Sequence, residues 1–117
     1  MRPRVLIVDD HAAFRESASA LLEAEGFEVV GEAGDGEEAI RAVERLRPEI
    51  VLVDIQLPGL DGFDVAERLA VTADAPAVVL ISSRDARAYG ARVDAAPVRG
   101  FLAKRSLSGA ALAGLVR

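Results

Sequence analysis

Five short aliphatic runs, separated by stretches with helical periodicity, constrain this chain more than any other feature. They span residues 4–8, 28–33, 50–54, 77–81 and 100–103. Short runs this rich in aliphatic residues read as buried strands. Between them, Phe14, Ala18, Leu21 and Leu22 fall on one face of a helix over 12–25, which Gly26 would stop. Asp35 and Glu38 resemble an N-cap and its capping-box partner for a second helix, with Ala39, Ile40, Val43 and Leu46 on its apolar side before Pro48. Asp61 can cap a third helix that buries Val65, Ala66 and Leu69. Ser106 can cap a fifth that buries Leu112, Leu115 and Val116. A fourth helix is expected over 85–96, although Gly90 inside it costs about 1 kcal/mol relative to alanine.

Strands alternating with helices at this spacing require right-handed crossovers, and so a parallel sheet covered on both faces. The expected fold class is therefore α/β, a three-layer (βα)5 sandwich around a parallel five-stranded sheet. Periodicity does not set the strand order, but the flavodoxin-like order 2-1-3-4-5 is the common solution for five such units. It opens a crevice at the carboxyl ends of the strands, beside the switch point between strands 1 and 3. The 117 residues suit one domain over 1–117, with no room for an output domain.

Composition removes several classes of function. The chain has no cysteine, which excludes disulfides, thiolate metal sites and cysteine nucleophiles. Its net charge of -5, without a basic run or a series of aromatic residues, argues against direct nucleic-acid binding. Between Arg4 and Asp9 stand only four apolar residues, too few for a signal-peptide core or a membrane span, so a cytoplasmic location and no membrane partner are expected.

The predicted sheet brings Asp9 and Asp10, at the end of strand 1, beside Asp54 at the end of strand 3. Three carboxylates in one site repel one another, and a hard divalent cation with oxygen ligands relieves this. Mg²⁺ suits such a site, because it takes one or two carboxylates, waters and a phosphate oxygen. Lys104, after strand 5, can approach a phosphate or pair with a carboxylate, and Ser82, after strand 4, can donate a hydroxyl hydrogen bond.

Four ordered segments then resemble a known family: VLIVDD over 5–10, VLVDIQLPGLDG around Asp54, VVLISS around Ser82, and GFLAK ending in Lys104. They are similar to the signature segments of response-regulator receiver domains of the CheY-like superfamily, and the DDH at 9–11 resembles the NarL/LuxR type. The separations of 45 positions from Asp9 to Asp54 and 22 from Ser82 to Lys104 match that pattern. The resemblance implies two-component signal transduction, with Asp54 accepting a phosphoryl group from a sensor histidine kinase or phosphotransfer protein in a Mg²⁺-dependent reaction. It implies Asp10 as a direct metal ligand, Asp9 as a ligand largely through water, and the Gln56 backbone carbonyl as another. Lys104 would contact the phosphoryl group, Ser82 would be the switch hydroxyl, with Ser83 as the neighbour most easily mistaken for it, and Phe101 would be the switch aromatic. The output would be a surface of helix 4, strand 5 and helix 5, with homodimerisation possible. The protein would catalyse only its own phosphorylation and dephosphorylation.

Other readings set bounds on this one. A lone Asp usually caps a strand end, and a lone Phe is usually core. His11, the only histidine, lies at a sheet edge and not on the amphipathic helix that presents a phosphohistidine. A hydrolase of the haloacid-dehalogenase kind would need a general acid two residues after the nucleophile, where Gln56 stands. A purely interacting domain would not need Asp9, Asp10, Asp54, Ser82 and Lys104 together. The sequence departs from the family at Arg105, where many receivers carry a proline, often after a cis bond; a trans bond is expected here, since cis before a non-proline costs about 2.5 to 4 kcal/mol. Gln56 and Arg84, each two positions after a motif residue, are expected to shield or orient the water that attacks the phosphorylated aspartate. The sequence suits either a stand-alone receiver or a truncated regulator.

Overall fold

A computed structural model of the chain describes residues 2–117. Its strands are β1 (Arg4–Val8), β2 (Glu28–Ala33), β3 (Ile50–Asp54), β4 (Ala77–Ser82) and β5 (Gly100–Ala103). They form one parallel sheet in the order β2-β1-β3-β4-β5. The helices are α1 (Ala12–Ala24), α2 (Gly36–Leu46), α3 (Gly62–Ala70), α4 (Ala91–Ala95) and α5 (Gly109–Val116). Among the described residues no helix is long and apolar enough to cross a membrane.

The continuous apolar runs make sense once both faces of the sheet are covered. Successive side chains on a strand point to opposite faces. Leu6, Val8, Val51 and Val53 accordingly pack with α2 and α3, through Ala39, Ala42, Val65, Ala66 and Leu69. Val5, Ile7, Ile50 and Leu52 pack on the other face with Ala18 and Leu22 of α1 and Leu112 of α5. All eight strand residues are buried. At roughly 25 cal/mol per Å² of apolar surface, these two half-cores hold the strand ends where the polar residues emerge. The edge strand β5 is only half-buried along its length.

Three local expectations need correction. The fourth helix does not run over 85–96. Gly90 adopts φ 57° and divides the segment into a 3-10 turn (Ala86–Ala88) and the five-residue α4, neither with a buried residue. The segment lacks a large apolar stripe to reward helix formation across that glycine. Ser106 does not cap α5: it lies in a 3-10 turn (Lys104–Ser106), and Ser108 takes the cap, its hydroxyl accepting from the Ala111 N–H at 3.0 Å. Asp35 does cap α2 by accepting from the Glu38 N–H at 2.8 Å. The reciprocal box, however, forms at α3, between Asp61 and Asp64. The other boundaries given for the strands and the first helix agree to within one residue, α1 ending at Ala24 and β4 extending to Ser82, with Gly26 at φ 99° just beyond the end of α1. The peptide bond between Lys104 and Arg105 is trans.

Candidate functional site

Four strand ends converge on one edge of the sheet, and three leave it by the same local device. A polar side chain at the end of the strand accepts the backbone N–H two residues on, which turns the chain sharply and fixes the side chain. Asp9 Oδ1 accepts from the His11 N–H at 2.8 Å, Asp54 Oδ1 from Gln56 at 3.1 Å, and Ser82 Oγ from Arg84 at 3.0 Å. Asp9, Asp54 and Ser82 are the buried polar residues of the fold, at 0%, 4% and 0% exposure. The side chains of Gln56 and Arg84 are thereby left exposed at the rim.

Lys104 follows β5 and reaches back across the sheet edge. Its Nζ lies 2.5 Å from Asp9 Oδ2 and 3.1 Å from Asp54 Oδ2, with the Phe14 ring 4.5 Å away. Burial opposes ionisation of both carboxylates, and the balance differs between them. At Asp9 the Lys104 ammonium and the His11 N–H outweigh burial and hold the carboxyl below its usual range. At Asp54 burial prevails, reinforced by the charge of Asp9, and the carboxyl is pushed up despite Lys104 and the Gln56 N–H. Burial also opposes the charge on Lys104, but hydrogen bonding and charge from Asp9 and Asp54 raise its pKa overall.

The cation-binding capacity of this edge exceeds what Lys104 satisfies. Carboxylate oxygens of Asp9, Asp10 and Asp54 and a ring nitrogen of His11 lie within 4.8 Å of one another. Asp9 Oδ2 is buried with Lys104 Nζ as its close partner, and one ammonium faces three carboxylates here. Clustered carboxylate oxygens in excess of the local positive charge fit a hard divalent ion. His11 Nδ1 sits 3.1 Å from Asp9 Oδ1 and 3.0 Å from Asp10 Oδ1, at the exposed mouth of the cluster.

The expected residues thus fall into two groups. Asp9, Asp10, Asp54 and Lys104 meet directly. Ser82 is on the same edge, but its hydroxyl is engaged by the Tyr89 hydroxyl at 2.7 Å and by the Arg84 N–H. Phe101, on β5, is half-buried with its ring 6.4 Å from that of Tyr89. Sequence reasoning missed Tyr89. Its separation of seven positions from Ser82 carries no signal while 85–96 reads as a helix; in the structure Tyr89 ends the 3-10 turn and its phenol meets the strand end.

A parallel sheet in this order with an Asp-rich carboxyl edge facing a lysine defines the class of signal-receiver domains. The family model for the response regulator receiver domain matches residues 5–114, and the chain belongs to that family. It is similar to the transcriptional regulatory protein PdtaR of Mycobacterium tuberculosis, 45% identical over 84 residues, covering 70% of this chain and 41% of the relative. It also resembles the DNA-binding response regulator MtrA of Mycobacterium leprae, at 42% over 85 residues, covering 73% and 37%. The match therefore spans about two fifths of the length of these relatives. Among solved structures, the signal receiver domain of NarL from Mycobacterium tuberculosis superposes with a TM-score of 0.87 at 33% identity, covering 98% of this chain and 96% of that one. The chain is a response-regulator receiver of two-component signalling.

Proposed function

We propose that this receiver accepts a phosphoryl group on Asp54 from a sensor histidine kinase or a phosphotransfer protein. The observation that carries the reading is Asp54 itself. It is a buried carboxylate at a strand end, oriented by the Gln56 N–H and faced by a lysine 3.1 Å away. Asp54 Oδ2 attacks phosphorus as the bond to the donor nitrogen breaks. Lys104 is within reach of the incoming phosphoryl oxygens and stabilises charge that grows in the transition state. Asp10, Asp9, Asp54 and the Gln56 carbonyl would hold Mg²⁺, which when bound neutralises the crowded carboxylates and the phosphoryl oxygens. Gln56 and Arg84, exposed at the rim, control the approach of the hydrolytic water. Activity is confined to the protein's own phosphorylation state, and the responding surface is that of α4, β5 and α5, with Ser82 and Phe101 as its first elements. The chain's excess negative charge makes a protein, not a nucleic acid, the direct partner of this domain.

Intact mass spectrometry after incubation with acetyl phosphate or phosphoramidate tests the reading. The expected result is a Mg²⁺-dependent gain of one phosphoryl group, absent in Asp54→Asn. If neither donor gives an adduct and beryllofluoride does not bind in the presence of Mg²⁺, the acceptor assignment is wrong.

A further inference from the structure

The hydrogen bond between Ser82 and Tyr89 has no part in the phosphoryl chemistry, yet it consumes the hydroxyl that chemistry would use. Ser82 is fully buried, and its oxygen already accepts the Arg84 N–H. Its remaining polar contact is the 2.7 Å bond with Tyr89 Oη, in which either hydroxyl can be the donor. Tyr89 is half-buried, and its ring packs between two others: Phe63 of α3 at 6.0 Å, edge-on at 62°, and Phe101 of β5 at 6.4 Å. Phe101 has no hydroxyl, so within this aromatic row Tyr89 alone can bond Ser82.

The segment that carries Tyr89 is otherwise loosely held. The 3-10 turn and α4 bury no residue. The backbone bonds that span Gly90 are long, at 3.3 Å from Arg92 N–H to the Tyr89 carbonyl and 3.4 Å from Val93 N–H to the Gly90 carbonyl. Beyond Tyr89 and the half-buried Val93, which also packs against the core, its anchors are exposed: Arg92 stacks 4.2 Å above Phe63 and lies 3.5 Å from Asp61, and Asp85 pairs with Arg105 at 2.7 Å. A segment with few buried contacts opens at low free energy, so one buried hydroxyl bond has leverage over it.

We propose that Tyr89 is a latch. Resting on the assignment of Asp54 as phosphoacceptor, the Tyr89 hydroxyl holds Ser82 in the unphosphorylated protein and competes with the phosphoryl oxygens for it. When Ser82 turns to donate to the phosphoryl group, the phenol loses its partner and the 86–95 segment is released. Phe101, packed behind the Tyr89 ring, moves after it. Tyr89 is therefore a positioning residue, acting through Ser82.

The test uses the full chain as wild type, Tyr89→Phe, Ser82→Ala and the double variant. Amide hydrogen exchange over 86–95 is followed by NMR without ligand, and beryllofluoride affinity is measured with Mg²⁺ present. Each single variant should speed exchange in this segment by about two- to tenfold, the factor one net hydrogen bond is worth, and the double variant should add nothing, since both lose the same bond. Tyr89→Phe should also bind beryllofluoride about two- to tenfold more tightly, because the competitor for Ser82 is gone. Damage to packing would not tighten binding. Additive exchange effects, or an affinity that Tyr89→Phe leaves unchanged or weakens, would overturn the latch while the phosphoacceptor assignment stands. A wild-type chain that does not bind beryllofluoride overturns that assignment and the competition built on it.

Discussion

Lys104→Met isolates the electrostatics of the acidic edge. It removes the one cation that contacts both Asp9 and Asp54, whose residues are 0% and 4% exposed, and keeps most of the aliphatic stem over Phe14. Breaking a fully buried ion pair from one side costs about 3–5 kcal/mol. Here the lysine is 18% exposed and Asp54 can take up a proton, so the cost falls below that range, to about 2–3 kcal/mol. With a urea m-value of about 1.3 kcal/mol/M for a domain of this size, the unfolding midpoint in EDTA at neutral pH should fall by roughly 2 M. Two controls follow. The loss should shrink on acidification, because protonated Asp9 and Asp54 need no cation. It should also shrink when Mg²⁺ is added, since binding at a hundredfold its Kd contributes about 2.7 kcal/mol, and the variant has the greater unmet charge. Equal midpoints for variant and wild type in EDTA would refute the argument that Lys104 neutralises a buried acidic pair.

Three more outcomes follow from the same geometry. Because burial and Asp9 raise the Asp54 pKa, its ionisation opposes folding: stability is lost as pH rises from the unfolded value of 3.8 through the higher folded one. Asp54→Asn should therefore be more stable than wild type at neutral pH in EDTA and gain nothing at pH 3, as urea titrations at both values would show; an equal gain at both would exclude the charge explanation. A Cβ on Gly62 would stand 2.6 Å from the Asp54 carbonyl oxygen and 2.8 Å from Ile55 Cα, atoms that cannot yield. Gly62→Ala should cost about 1–3 kcal/mol and slow phosphorylation from acetyl phosphate. Gly59→Ala, with open space but φ 73°, should cost only about 1 kcal/mol and leave the rate unaltered. Gln56→Ala and Arg84→Ala should each change the dephosphorylation rate severalfold while leaving urea midpoints within about 0.5 kcal/mol of wild type; unchanged hydrolysis in both would remove them from the path of the water.

The sheet and the acidic edge were legible because their signals are local and redundant. Strands such as residues 50–53, buried on both faces, must be apolar at every position, and a carboxylate ending such a run has only the strand terminus to occupy. Asp9, Asp54, Ser82 and Lys104 could thus be placed from the pattern alone, and the right-handed crossover rule with the common strand order brought them together. The segment from Asp85 to Ala96 was not legible. With little apolar surface to bury, its conformation depends on Gly90 and on partners far away in the chain: the rings of Phe63 and Phe101, and the Ser82 hydroxyl. The α5 cap moved for a similar reason, because the chain leaving Lys104 first turns through Ser106, and the N–H of Gly109 meets the Glu25 carboxylate at the end of α1. The sequence by itself determined which faces are apolar and which strand ends are polar, since hydrophobic periodicity is written residue by residue; it did not determine depth of burial, for β2 and β5 read like the central strands yet are only partly covered, and Leu115 and Val116 of α5 are half-buried. Only the tertiary structure decided how each polar group is satisfied: Lys104 shared by two carboxylates, and Ser82 held by Tyr89. These contacts depend on distances across elements, which spacing along the chain does not specify, unlike the local bonds two and three residues on that turn the strand ends and cap the helices.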